Sequence, residues 1–527
     1  MSSTGGQEEA LTPGLAYGTG VAERLRTCTF AGSLAGADAV GEAGSLECGS
    51  LVRIELRVRG GIIEEARYQA HGCPATLAAA SQLCARVTQS PVLGAAAVSQ
   101  ETICRDIGLV PEKEYTAGIA VDALHAALTA ALSSPECDFG PGLVAGQEPG
   151  GISHATGDDA AGATGDAPGI LVGMSGGVDS GVAAMLLKEQ GYRVVGITLT
   201  FWNDPRVADE RSCCSPENVR RARRVAHSLG IPHISVDARQ AFYDQVVEYF
   251  LSEYAAGRTP NPCAKCNSRV RLGLLVDVAE RLGLSRVATG HYARLVGTPP
   301  RLARGLDEMK DQSYVLAEVA PEILENLVFP LGEMRKPDVR RLAAQAGLEG
   351  HSAPESQEIC FVPDDDHRRF LHERLGDLPG DIVDVGGRVL GRHEGTYNYT
   401  IGQRKGLGIA APEPLYVVAV DAASRQIVVG NAGEGLVGMV HATGLVWHRE
   451  PGAGLLSLQV RSAGAGVPLA RFQTADGGLT AWPAHPASGV AAGQTAVVYE
   501  GDQVVIAGTI SKTEQWDGAP PGGATIQ

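Results

Sequence analysis

The sequence predicts a multidomain chain: a small α+β domain, an α/β domain with a doubly wound parallel sheet, a small central domain, and a C-terminal all-β, barrel-like domain. Three observations predict it. Residues 21–137 alternate apolar and charged residues and then turn helical. Residues 169–375 interleave short apolar strands with helices, and from about residue 380 short strands are punctuated by Gly and Pro. A length of 527 residues suits three or four such domains.

In the first domain, LVRIELRV at Leu51–Val58 reads as a half-buried strand, Gly60-Gly61 as a hairpin, and Ile62–Gln69 as the returning strand. Pro74–Val87 and Thr116–Leu132 read as Ala-rich amphipathic helices. Residues 138–168, rich in Gly, Ala, Asp and Pro, read as a flexible linker that cannot bury enough apolar surface to offset its ordering entropy. Beyond it, strand Ile170–Met174, helix Gly181–Gln190 and strand Val194–Trp202 form a β–loop–α–β unit. Pro216–Leu229 with His233–Val236, and Arg271–Leu282 with Arg286–Ala288, extend it into a parallel sheet. Tyr416–Val420, Gln426–Gly430, Leu455–Arg461 and Ala496–Ile510 predict the β module. The expected divisions are a disordered tail at 1–20, domains at 21–137, 169–375, 376–434 and 435–515, and a second tail at 516–527.

With 44 Lys+Arg against 60 Asp+Glu, the chain carries a net charge of −16, which excludes indiscriminate coating of nucleic acid. The charge is uneven. Residues 1–168 hold 9 basic and 20 acidic side chains, so −11 lies in them and −5 in the rest of the chain. Any RNA contact is expected to be salt-dependent and local, through Arg220-Arg221, Arg223-Arg224, Arg269, Arg271, Arg335-Lys336, Arg340-Arg341 and Arg368-Arg369, with the acidic module kept off the RNA. No run of 18 apolar residues and no secretory leader are present, so neither membrane insertion nor export is expected. Eleven scattered cysteines point to sulfur or metal chemistry in a reducing, cytoplasmic setting, not to a disulfide framework.

Ser175-Gly176-Gly177-Val178-Asp179-Ser180 sits between a strand and a helix, where glycines admit a phosphate and the helix start offers free N–H groups. Asp179 is expected to act on phosphate through Mg2+. The loop resembles that of the PP-loop ATP pyrophosphatases, which split ATP between its α and β phosphates to adenylate a carbonyl-type oxygen.

Gly257–Asn267 (GRTPNPCAKCN) presents Cys263 and Cys266 together, and Glu355–Phe361 (ESQEICF) presents Cys360. With Ala288–Arg294, Lys310–Tyr314 and Tyr399–Gly406, residues 169–515 resemble the tRNA-specific 2-thiouridylases of the MnmA type. The resemblance implies that ATP activates the C2 oxygen of the wobble uridine and a persulfide sulfur displaces AMP. By that likeness Cys360 holds the persulfide and Cys266 is the nucleophile that releases its sulfur. ATP would contact Gly173, Met174, the loop Ser175–Ser180, Leu199 and Gly290. Asn261, Pro262 and Cys263 would face the target base, and His291, Lys310, Asp311, Gln312, Arg461, Ser462 and Gln494 would touch tRNA.

The family pattern carries Asp where Cys263 stands. Three readings stay open: Cys263, Cys266 and Cys360 hold a [4Fe–4S] cluster; Cys266 and Cys360 work as a persulfide–disulfide pair with Cys263 as bystander or acid/base; or the set is a zinc knuckle short of a fourth ligand. Cys213-Cys214 reads as a spare thiol pair.

Residues 24–132 resemble the NifU/IscU-type iron–sulfur scaffolds, matching their first two cysteines at Cys48 and Cys73; Thr116 stands near the third position and Ser50 replaces an Asp. Cys84 and Cys104 read as buried helix thiols. The implied role is a tethered sulfur or cluster donor, or a docking module for a cysteine desulfurase or other persulfide donor. The competing functions are another PP-loop ligase and a non-catalytic iron–sulfur carrier.

Overall fold

The computed structural model describes residues 17–27, 29–47, 49–134, 137, 167–204, 215–349, 359–362 and 366–517. Cys48, Cys213-Cys214, Glu355–Glu358, almost all of the linker and most of both tails lie outside them.

The N-terminal domain is an antiparallel sheet in the order β1-β2-β3-β4 (Ala39–Ser45, Ser50–Arg59, Ile62–His71, Ser90–Pro91). Strands β2 and β3 are the predicted hairpin. Strand β1 was not foreseen, because Gly and Ala blur its alternation. Its glycine has a purpose: a Cβ on Gly41 would lie 2.1 Å from the backbone N of Ala127, so the helix Glu114–Ser133 can lie directly on the strand. By length and composition Pro111–Ser133 is long and apolar enough to cross a membrane, contrary to expectation. In this fold 61% of its apolar window is buried as the core helix of the domain.

The second domain is a parallel sheet in the order β11-β8-β5-β6-β7 (Leu327–Val328, Arg286–Thr289, Gly169–Gly173, Arg193–Thr200, His233–Asp237). The chain leaves β5 for β6 on one side and later returns to β8 on the other. The C-terminal ends of β5 and β8 therefore flank a topological switch point, where open α/β sheets bind ligands. The hairpin β9–β10 (Ala293–Val296, Arg301–Arg304) leaves this domain. The central domain is a four-stranded sheet in the order β13-β12-β15-β14 (Val389–His393, Gly380–Asp384, Gln426–Gly430, Tyr416–Asp421) with its own small core. In the last domain, β16 (Leu436–Trp447), β19 (Gly478–Pro483), β18 (Val467–Ala475), β17 (Leu456–Gln459), β21 (Thr495–Glu500) and β22 (Gln503–Gln515) close into a six-stranded barrel through β16–β22 pairing. Strand β10 pairs with β22, so the catalytic domain's hairpin extends the barrel's sheet.

The acidic module, expected to be kept off the RNA, is docked against the arginine-rich helix, which was expected to offer its charges to RNA. Helix Glu114–Ser133 packs on edge strand β7, and one apolar core runs through both domains. Asp122 accepts hydrogen bonds from Arg220 Nε at 3.0 Å and Arg223 Nη1 at 2.6 Å, and Arg281 donates to the Leu132 carbonyl at 3.0 Å. Arg221 donates to the Gly176 carbonyl at 2.7 Å, and Arg224 pairs with Glu217 and Glu349. The run offered to RNA by the sequence reading is thus spent on domain docking and on bracing the nucleotide loop.

Three histidines lie in this junction. His125 is buried with no hydrogen-bond partner on either ring nitrogen, the His227 ring lies 5.9 Å from it at a 45° tilt, and His233 is fully buried. Burial, reinforced by the Arg223 charge, holds all three below the ordinary value of 6.5. The folded chain therefore resists protons that the unfolded chain accepts. Stability is full above about pH 6.5 and falls as the pH drops below it, as the unfolded chain takes up protons that the folded junction refuses. The melting temperature should fall steadily from pH 6.5 to 5, with a shallower slope in His227→Gln; equal slopes in the two proteins would contradict this account.

Candidate active site

The nucleotide loop closes on itself. Ser175 N donates to Ser180 Oγ at 3.2 Å, and Ser180 Oγ donates to the Gly177 carbonyl at 3.1 Å. Gly177 caps the helix Val178–Glu189 and leaves that helix's first N–H groups facing outward. Gly176 has φ +76° and a Cβ there would meet the Asn218 carbonyl at 2.6 Å; a Cβ on Gly290 would meet the Ser180 backbone N at 2.9 Å. Only glycine allows these two close approaches. A cavity of about 330 Å³ opens at the switch point, lined by Gly173, Met174, Ser175, Asp179, Ser180, Leu199 and Gly290 among others. Seven of the ten residues expected at ATP line it. Gly176, Gly177 and Val178 form the turn behind them.

Asp179 does not stand free for a metal: its carboxylate pairs with Lys336 Nζ at 2.6 and 2.7 Å and accepts from Tyr292 Oη at 2.8 Å. Sequence reasoning placed Lys336 in a basic patch. Its partner lies 157 residues away, beyond any local signal.

A second cavity, about 260 Å³, is lined by Pro262, Cys263, Cys266, Cys360, His291, Gln312 and Ser462 with their neighbours. Asn261 starts the short helix Pro262–Cys266, its Oδ1 accepting from Ala264 N at 3.1 Å. Cys263 is exposed, Cys266 buried and Cys360 half-buried. The fold thus gathers the three thiols expected from sequences about a hundred residues apart. Gathering is not ligation: among the described residues, no three His, Cys, Asp or Glu side chains converge as a metal set. That counts against a single-ion site such as a zinc knuckle at Cys263, Cys266 and Cys360.

Several residues expected at tRNA turn inward. Gln494 Nε2 donates to the carbonyls of Thr259 at 3.0 Å and Pro260 at 3.2 Å, buttressing the thiol loop from the barrel. Asp311 binds Arg304, Gly305 N and Ser313. Gln312 Oε1 accepts from Tyr292 N at 2.9 Å, although the residue still lines both cavities. His291 is buried, hydrogen-bonded through Nδ1 to Thr289 Oγ1 at 2.7 Å, and burial with the Arg271 charge pushes its pKa down to about 3. Lys310 is half-buried, whereas Arg461 and Ser462 are exposed beside the thiol cavity. Lys265, between the two loop thiols, points the other way and pairs with Glu318, both buried. Thr509 and Thr495 of the barrel complete that network at 2.6 and 2.9 Å.

In the N-terminal domain, Cys73 caps the helix Pro74–Val87 and lies 3.6 Å from Thr76 Oγ1. Burial works against its thiolate, but the N–H and hydroxyl of Thr76, the Ala75 N–H and the Lys113 charge outweigh it and hold Cys73 below the ordinary thiol value. Burial pushes Cys104 up to about 11 and Cys84 higher still. Thr116, where a third cysteine was sought, is buried and donates to the Lys113 carbonyl.

Fold and site together define a nucleotide-dependent, thiol-bearing HUP-domain enzyme carried on two β modules. Residues 169–364 match the tRNA methyl transferase HUP domain family, 368–431 its PRC-barrel domain, 439–510 the aminomethyltransferase beta-barrel domain, and 16–137 the NifU-like N terminal domain. The bifunctional protein NifU/MnmA of Rubrobacter xylanophilus is 44% identical over 503 residues, covering 94% of this chain and 99% of the relative. The tRNA-specific 2-thiouridylases MnmA of Geobacter metallireducens and Carboxydothermus hydrogenoformans are 45% and 44% identical, each over 65% of this chain and 96% and 97% of their own lengths. The chain belongs to the bifunctional NifU/MnmA family.

Proposed function

We propose that this chain is an ATP-dependent tRNA-uridine 2-sulfurtransferase with a built-in sulfur-delivery domain. The observation that carries it is the shared wall between the nucleotide cavity and the thiol cavity, both lined by Cys263 and Cys360. A base whose C2 oxygen is activated in one cavity meets sulfur in the other without leaving the site.

The C2 oxygen of the wobble uridine attacks the α-phosphorus of ATP and pyrophosphate leaves. The backbone N–H groups at the start of helix Val178–Glu189 and the hydroxyls of Ser175 and Ser180 hold the phosphates. Mg2+ entering with ATP would offset phosphate charge, while Asp179, already paired with Lys336 and Tyr292, braces the start of the helix. Cys360 receives a sulfane sulfur from a persulfide donor such as a cysteine desulfurase. That terminal sulfur forms the bond to C2 as AMP departs. The Cys266 thiolate then attacks the Cys360 sulfur, the S–S bond breaks, 2-thiouridine is freed, and a Cys266–Cys360 disulfide remains for a dithiol reductant of the cytoplasm. Cys73, with its thiolate favoured, supports an intermediate stop for sulfur on the N-terminal domain.

The test is nucleoside mass spectrometry of unmodified tRNA incubated with the full chain, ATP, Mg2+ and a persulfide donor. Wobble 2-thiouridine dependent on all four components is the expected result; none would refute the reading. Cys263→Asp, which restores the family's usual residue, is expected to remain active.

A further inference from the structure

Five side chains line both cavities: Cys263, Arg271, His291, Gln312 and Cys360. Among the described residues lining either cavity, Arg271 is the one lysine or arginine. Lys336 and Arg221, the cations bonded to the nucleotide loop, are held by Asp179 and the Gly176 carbonyl and line neither. His291 is buried and neutral beside Arg271 and adds no positive charge.

The position of Arg271 follows from the fold. It ends the turn Asn267–Arg271 that continues the thiol helix, so the element carrying Cys266 also carries this guanidinium. Its guanidinium carbon lies 5.3 Å from the centre of the buried Phe201 ring, a contact that steadies a planar cation at the cavity wall.

Adenylation concentrates charge at that wall. As the uridine C2 oxygen forms its bond to the α-phosphorus, the bond from that phosphorus to the pyrophosphate oxygen breaks. Pyrophosphate leaves with the electron pair, and the N3 proton passes to solvent. Negative charge grows on the α-phosphate oxygens, where a fixed cation in a partly dehydrated site is most effective. We infer that Arg271 is a catalytic residue of this step, its guanidinium engaging the α-phosphate where the nucleotide meets the uridine. The same contact serves AMP when the C2–O bond breaks. The inference rests on the sulfurtransferase reading and adds to it the group that drives its first half.

The experiment isolates that half. Full-length protein, unmodified tRNA with a wobble uridine and ATP–Mg2+ are mixed without a sulfur donor, and single-turnover pyrophosphate release is timed. ATP affinity is titrated separately and melting temperature is recorded for each variant. Arg271→Met is expected to slow pyrophosphate release by ~10²–10³-fold while changing the ATP Kd by less than ~10-fold. Arg271→Lys is expected to recover part of the rate. Wild-type release by Arg271→Met overturns the inference. So does an Arg271→Lys protein no faster than Arg271→Met when both melt like the parent, because the charge would then be immaterial. Failure of the unsubstituted protein to release pyrophosphate on tRNA would instead defeat the proposed function.

Discussion

Cys360→Ser will lower 2-thiouridine formation by at least ~10³-fold while leaving tRNA-dependent pyrophosphate release intact. Losing the atom that carries the transferred group removes a covalent step outright, and binding elsewhere in the site cannot replace it. Cys360 lines the nucleotide cavity as well as the thiol cavity, but activation of the uridine calls on phosphate contacts, not on sulfur. Cys266→Ser is expected to show a comparable loss with a different signature. Sulfur delivered from a 35S-labelled donor should stay on the protein at Cys360, because the thiolate that breaks its S–S bond is gone. Equal thiolation by either variant and the parent would refute the assigned roles, and loss of pyrophosphate release in Cys360→Ser would place the thiol in the first half-reaction.

Lys265→Met will be among the most destabilising single substitutions in the catalytic half, at about 3–5 kcal/mol. The ammonium is buried, and its partner Glu318 is equally enclosed, so removing the cation leaves a carboxylate in the interior with only Thr495 and Thr509 to satisfy it. Against a domain stability of ~5–15 kcal/mol that loss is large, and the urea midpoint should drop accordingly. Lys265→Met with Glu318→Leu should recover most of it, since replacing a whole buried pair by apolar residues costs little. A single substitution with an unchanged midpoint would mean that the pair is wetter than its surroundings indicate.

What was legible in the sequence follows from how local each signal is. The phosphate loop is readable because its chemistry needs contiguous glycines and hydroxyls, and Ser175 to Ser180 occupy the places their order implied. The thiols are readable because cysteine is rare in this chain and its contexts are distinctive. Direction is what one sequence does not encode. Gln494 and Lys265 are polar residues in motif-bearing segments, yet each turns away from the cavity to hold a backbone or a buried charge, and Asp311 at the cavity wall is taken up by Arg304, Gly305 N and Ser313. The same blindness hid the domain docking: Asp122 meets Arg220 and Arg223 across 98 and 101 residues, and an arginine run looks the same whether it awaits phosphate or already grips a neighbouring domain. Strand β1 escaped for another reason, since the glycine that lets a helix lie on it erases the alternation by which strands are recognised.

The pairing of hairpin β9–β10 with β22 bears on how the protein is made. The ribosome releases residues 293–304 long before Gln503–Gln515, so the hairpin emerges with the outer edge of β10 unclaimed. Thr495 and Thr509, which complete the network around Lys265, arrive equally late, and β16 must wait for β22 before the barrel can close. A prematurely terminated chain would lack the barrel residues Gln494, Thr495 and Thr509 that brace the sulfur-handling loop and its buried ion pair. Full assembly is therefore tied to the end of translation, and fragments are left with an open edge for quality control to recognise.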